Sequence, residues 1–269
     1  MKLIKILLLA ALLVTGSLYG VTWAGEHLTG RLDAPELNCP DTVLEISVHD
    51  EESALLAGLT AKDAQDGDLT SHILVQGLSH LLTNDTAKAS YVVFDSHGNM
   101  ASASRTIRYT DYTKPAFFLD EPLSYSENDS IELLDRIRAM DVIDGNITGS
   151  IRVSTLNGTA EPEVSTVSLQ VTNSMGDTSR VTLPVVIFTG RMARPVVKLS
   201  EYLIYLEKDS DFNPRDYLVS VRAPSGFGDL ADVQITDTVD TATPGTYMVY
   251  YRYPYSITSG LSVLAVVVE

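Results

Sequence analysis

Asp63-Ala64-Gln65-Asp66-Gly67-Asp68-Leu69-Thr70 brings three carboxylates into a short stretch, and Asp111 lies further on as a fourth candidate. A second stretch, Asp141-Val142-Ile143-Asp144-Gly145-Asn146-Ile147-Thr148, offers Asp141 and Asp144 in the same places. Clustered carboxylates could supply oxygen ligands to Ca²⁺, which takes six to eight of them. The spacing is not that of an EF-hand, whose ligands stand at positions 1, 3 and 5 before its Gly. Turn chemistry is the competing reading. Asp-Gly pairs favour tight turns, and Asp side chains accept hydrogen bonds from nearby backbone N–H groups.

Asp95-Ser96-His97-Gly98-Asn99 contains all three residue types of a hydrolytic triad. Neighbouring residues in a chain point in different directions, so a hairpin turn at Gly98-Asn99 is expected instead of a proton relay. The sequence has no Gly-x-Ser-x-Gly, no His-Glu-x-x-His and no phosphate-cradling Gly loop. No catalytic residue is expected, and the chain reads as non-enzymatic. Tyrosines are uneven, with Tyr250, Tyr251, Tyr253 and Tyr255 crowded near the end. In a strand through this region the odd positions Tyr247, Val249, Tyr251, Tyr253 and Tyr255 share one face. Met248, Tyr250, Arg252 and Pro254 share the other. One face must enter a core. The other would expose aromatic rings to a sugar or protein ligand.

The elements that position these residues form a repeat. The acidic stretch recurs at an offset of 78 residues (141 against 63), and Asp95-Ser96-His97-Gly98-Asn99 recurs as Asn173-Ser174-Met175-Gly176-Asp177 at the same offset. A fainter third copy is marked by Gly228-Asp229-Leu230, with Pro224 and Phe227 where the first two acids belong. Val43 to Val48 alternates with period two, and β-branched and aromatic runs at Ser90–Phe94 and Arg105–Tyr109 flank the Gly-Asn turn. Arg180 to Phe188 and Ser262 to Val268 supply the closing strand of the later copies. Short strands with frequent turn signals predict an all-β chain of sandwiches. The expected domains are 40–112, 113–190 and a divergent 194–269, with junctions at Asp111–Pro115 and Gly190–Pro195. A single Cys, Cys39, excludes an internal disulfide.

Before the repeats, Met1 to Lys5 is a short basic start, and Ile6 to Ala24 are uncharged. Residues 1–25 read as a signal-anchor helix that leaves the C-terminus outside, with a cleaved signal peptide as the alternative. Residues 26–39 read as a spacer. Lys2 and Lys5 are the only charges in the first 25 residues, so the remainder is more acidic than the formal net charge of −16. A field of that sign makes nucleic acid a poor partner.

The combination Asp-x-x-Asp-Gly-Asp-Leu-Thr, a Tyr-containing strand, Asp-Ser-x-Gly-Asn and Arg-x-Ile-x-Tyr-x-Asp resembles a family of bacterial immunoglobulin-like domains. These occur in tandem on exported surface proteins and are appended to some pesticidal crystal proteins. Residues 40–112 match well, 113–190 moderately and 194–269 weakly. The resemblance implies three tandem Ig-like β-sandwiches after the N-terminal hydrophobic helix, used as a surface module without a common catalytic activity. The expected function is a membrane-anchored or secreted extracellular spacer, adhesion or protein-interaction module. The expected partner is a cell-surface protein or glycan. No cofactor is expected unless the acidic loops hold calcium. Two alternatives stand beside this: a cell-wall or extracellular polysaccharide-binding module using Tyr250, Tyr251, Tyr253 and Tyr255, and an accessory subunit of an envelope enzyme or secretion complex.

Overall fold

The computed structural model describes residues 15–17, 34–81, 85–154, 156–190 and 192–269. Of the expected anchor, 1–25, only residues 15–17 are described, and they are helical; the rest lies outside the described residues. Among the described residues no helix is long and apolar enough to cross a membrane. The chain is all-β, with short 3-10 turns between strands, and divides into two compact units, Met1–Tyr112 and Thr113–Glu269.

In the first unit the strand Glu36–Asn38 pairs with Thr60–Asp63, which pairs with Gly67–Asp68. The expected spacer 26–39 therefore ends in a paired strand, because Leu37 packs on the core beneath it. A second sheet runs Val43–Ile46, Met100–Tyr109, Thr86–Phe94, Leu74–Leu78. Its first strand lies parallel to its neighbour while the other pairs are antiparallel. Alternation explains the packing between the two sheets. Ala87, Ala89, Tyr91 and Val93 of one strand and Arg105 and Ile107 of the next are all buried. Arg105 is held in the core by donating from Nε to the Tyr91 hydroxyl (3.1 Å) and from Nη2 to the Leu55 carbonyl (2.7 Å).

The second unit uses the same pairing twice. A three-stranded sheet of Ala116–Leu119, Ile137–Asp141 and Gly145–Asn146 is followed by a five-stranded one. In the latter, Arg152–Val153 and Asn157–Gly158 pair with Val164–Thr172, which pairs with Thr178–Phe188, which carries Ser124–Ser126 in parallel. Then Val196–Leu199, Leu218–Ala223 and Gly226–Gly228 form a three-stranded sheet. Leu203–Leu206, Thr258–Val268, Gly245–Tyr255 and Gln234–Asp237 form a four-stranded one. The expected junction at Gly190–Pro195 lies inside this unit. Buried residues from both halves, Phe117 to Val185 and Val197 to Val268, form one continuous core.

Further contacts tie the halves of this unit together. Val164 and Val186 bury against Leu261 and Val263, with Met248, Tyr250 and Phe188 at their edge. Arg194 meets Glu163 at 2.8 Å, and Arg252 meets Glu161 at 3.1 Å. The Phe117 N–H donates to the Tyr205 hydroxyl (3.0 Å), whose pKa burial pushes up to about 12. Gly260 runs against the backbone of Pro195, where any Cβ would collide with the Pro195 carbonyl.

Candidate functional site

The acidic loops are built by turns that need positive φ. Gly67 (φ 78°) and Gly145 (φ 69°) close each Asp-Gly turn, a conformation that costs glycine little. Asp63 Oδ1 accepts from the N–H groups of Gln65 (2.8 Å) and Asp66 (2.9 Å). Asp141 Oδ1 accepts from Ile143 and Asp144, both at 2.9 Å. The next acid then braces a second loop. Asp66 accepts from Ser96 N (2.6 Å) and Ser96 Oγ (2.9 Å); Asp144 accepts from Ser174 N (2.6 Å) and Ser174 Oγ (2.7 Å). Asp68 Oδ1 accepts from Thr70 N (2.9 Å), as Asn146 does from Thr148 and Asp229 from Ala231. Gly228-Asp229-Leu230 thus carries the same side-chain cap as the two acidic loops.

Hydrogen bonding sets the acidity of these groups. The Ser96 backbone and side chain hold Asp66 below the ordinary carboxylate value of 3.8, and Thr70 does the same for Asp68. Burial pushes Asp95 up, but bonds from the Asn99 side chain and the Asn99 and His97 backbones outweigh it and leave it lowered. Asp111 is lowered by Ser47 Oγ (2.6 Å) and Val48 N (2.8 Å). It thus caps the end of the neighbouring parallel strand Val43–Ile46. Among the described residues no three His, Cys, Asp or Glu side chains gather as a metal-holding group. Asp63, Asp66, Asp68, Asp111, Asp141 and Asp144 each accept hydrogen bonds from their own chain.

The Ser96–His97 pair is closer than the sequence suggests, because both sit in a turn. Ser96 Oγ lies 3.3 Å from His97 Nδ1. The Ser96 hydroxyl nonetheless donates to Asp66, and the second copy keeps the same brace with Met175 in place of the histidine.

The tyrosines depart most from expectation. In the strand Gly245–Tyr255 the odd face enters the core: Tyr251 is fully buried and Tyr253 nearly so. Burial raises the Tyr251 hydroxyl, which donates to the Pro214 carbonyl at 2.7 Å. The Tyr253 ring lies so close to Gly228 that a Cβ there would overlap it. The even face is also covered, since Tyr250 and Met248 pack beside Val164 and Val186 of the preceding repeat. Burial removes Tyr251 and Tyr253 from the expected ligand surface, and packing largely removes Tyr250. Tyr255 is half-buried at the edge of the same core.

Sequence reasoning missed a different feature. The outward face of the five-stranded sheet forms an open cleft of about 470 Å³, lined by Arg152, Gln170, Arg180, Ser168 and Thr182 among others. Its signal is present in the sequence as alternating Thr, Ser and Gln along Val164–Thr172, but the two arginines are brought beside it only by strand pairing.

No family model and no curated protein matches the sequence. Among solved structures, one similar chain holds the M60 catalytic domain with the CBM51-1 and CBM51-2 domains of Clostridium perfringens ZmpB (12% identity, TM-score 0.25). The match covers 88% of this chain and 31% of that one. The protocadherin GammaB4 extracellular domain matches at 13% identity and TM-score 0.21, over 88% of this chain and 49% of that one. Drosophila N-cadherin EC1-4 matches at 13% identity and TM-score 0.23, over 88% and 76%. The chain thus spans less than half the length of the first two. Likeness at this level carries no argument about function.

Proposed function

We propose that this chain is a non-enzymatic extracellular protein of three tandem Ig-like β-sandwiches, held at the cell surface by its N-terminal segment or secreted. It acts as a spacer that presents its last sandwich to a surface protein or glycan. The observation that carries the reading is the internal use of the motif acids. The residues with the strongest chemical potential in the sequence, Asp66 and Asp144, each clamp one loop to another within a sandwich. Such clamps stiffen a module and leave its chemistry closed. The joining of the last two sandwiches through Arg194, Arg252, Glu161 and Glu163 adds stiffness of the same kind.

The test is protease shaving of intact cells expressing the chain with a C-terminal tag. Loss of the tag from intact cells, or its appearance in the medium, is the expected result. A tag protected until the cells are lysed sinks the reading.

A further inference from the structure

Five arginines of this acidic chain form ion pairs among the described residues: Arg108, Arg136, Arg138, Arg194 and Arg252. Arg152 and Arg180 take part in none among the described residues. Strand register explains where they stand. Arg152 is directly opposite Gln170, and Gln170 directly opposite Arg180. Directly opposed residues on neighbouring strands point to the same face. Adjacent strands are ~4.8 Å apart, so the two arginine Cα atoms lie about 10 Å from each other with the amide between them. Arg180 Nε donates to Gln170 Oε1 at 3.2 Å, which holds its guanidinium along the face.

The row two residues along carries hydroxyls. Ser168 Oγ and Thr182 Oγ1 are 3.1 Å apart, and Ser154 Oγ accepts from Ser168 N at 3.1 Å. The cleft over these rows adjoins a second, of about 400 Å³, that shares Arg152 and Gln170. None of the residues lining either cleft is acidic. On a chain with a formal net charge of −16 this is an acid-free, cationic and hydroxyl-rich face.

We propose that this face binds an acidic polysaccharide, with Arg152 and Arg180 taking anionic groups and the Ser154, Ser168 and Thr182 row taking sugar hydroxyls. Arginine presents a planar fork that matches carboxylate or phosphate oxygens in pairs. Hydroxyls and the Gln170 amide both donate and accept, as a polyhydroxyl ligand requires. The shallow, open shape suits an extended polymer. An acidic peptide is the poorer fit, because a peptide gains most from a sheet edge or from apolar side-chain pockets, and this is the face of a paired sheet. The chain's overall negative charge does not forbid the contact. At physiological salt charges further than ~8 Å are largely screened, so the local pair of cations decides the sign.

Polymer binding can be tested without assuming where the protein resides. The full chain is run by affinity electrophoresis through gels containing polygalacturonate, dextran sulfate or neutral dextran, at about 0.15 M salt. Retardation by a polyanion and not by neutral dextran is expected, and the polyanion that holds at higher salt identifies the anionic group. The double variant Arg152→Gln, Arg180→Gln should lose about tenfold or more in affinity, as expected when hydrogen bonds to charged groups are removed. Its melting temperature should be unchanged. Thr246→Glu, which adds an acid at the cleft from another sheet, should weaken binding as well. Arg222→Gln, outside the cleft, should not. No retardation by either polyanion, equal retardation by neutral dextran, an unaffected double variant, or equal weakening by Arg222→Gln would each overturn the proposal.

Discussion

The loop at Asp63–Asn99 and its counterpart at Asp141–Asp177 have the same backbone turns and the same Asp–Ser brace, yet they place the amide differently. In the second loop Asn173 is buried and its Nδ2 donates to Asp141 Oδ2 at 3.1 Å, while Asn173 Oδ1 accepts from Asp177 N. In the first loop Asp95 stands in that position and Asn99 follows, so the donor is moved: Asn99 Nδ2 bonds to Asp95 Oδ2 at 2.7 Å. Asp95 cannot donate while ionised, and Asp63 Oδ2 is left buried with no hydrogen-bond partner among the described residues. A buried acceptor without a donor costs more than a typical hydrogen bond contributes. The comparison teaches that a repeat can keep its geometry while shifting one donor and so change how well the turn is satisfied.

The largest expected effect comes from the core that supports the second loop. Tyr251→Ala removes a fully buried ring and should cost about 3–5 kcal/mol, as aromatic truncations in cores do. Urea unfolding with amide exchange read at Ser174 and Ser96 would check it. Loss of protection at Ser174 with Ser96 unaltered is expected. Loss at both would mean that the two loops do not belong to separately cooperative units, and the comparison would break. A Tyr251→Ala chain of unchanged stability would return that ring to the surface.

Asn173→Asp tests the donor directly. It sets two carboxylates against each other with no N–H between them, and should cost about 1–3 kcal/mol, read by chemical unfolding. An unaltered midpoint would mean that the Asn173–Asp141 bond contributes nothing.

The opposite exchange, Asp95→Asn with Asn99→Asp, converts the first loop to the pattern of the second. The first unit's melting temperature should rise. The exchange should also reduce acid sensitivity. Asp95 and Asp66 are lowered below 3.8 in the folded chain. Between the folded value and 3.8 the unfolded chain binds more protons, so these groups add stability that is complete above 3.8 and lost as pH falls through the folded values. Thermal melts of the parent chain from pH 5 downward should therefore lose midpoint below about 4. The exchanged variant should lose less. A larger loss in the variant would contradict the assignment.

The smallest expected effect is that of calcium. With every candidate carboxylate already accepting hydrogen bonds, melts in calcium and in excess chelator should coincide. A site occupied at a hundred times its dissociation constant would add ~2.7 kcal/mol, a readily seen shift. Such a shift, lost in Asp66→Asn and Asp144→Asn, would make both loops metal sites after all.

Much of the local architecture was legible in the residues. The offset of 78 located two loops that prove superimposable bond for bond at Asp66–Ser96 and Asp144–Ser174. The β-branched and aromatic runs Ser90–Phe94 and Arg105–Tyr109 lie within the strands Thr86–Phe94 and Met100–Tyr109, with the expected turn between them. The strand Glu36–Asn38 was not legible, because three residues carry too little alternation to stand out from a spacer. In the third copy, Phe227 and Ile257 are 79% and 81% exposed. Phe227 replaces the bracing acid, so the Asp–Ser clamp of the first two copies has no counterpart there.

The sequence by itself determined the β class, the repeat and the turns, because each depends on residues within a few positions of one another. Asp-Gly geometry and strand alternation are local properties, set by backbone sterics and the two-residue period. Only the tertiary structure decided which face of Gly245–Tyr255 is the core, since alternation defines two faces and does not say what covers either. It decided also that Arg152 and Arg180 stand together, because two residues 28 positions apart meet only through the register of the strand between them. The same holds for Asp63 Oδ2: whether a buried oxygen finds a donor depends on a side chain from another loop, and no short-range pattern records that.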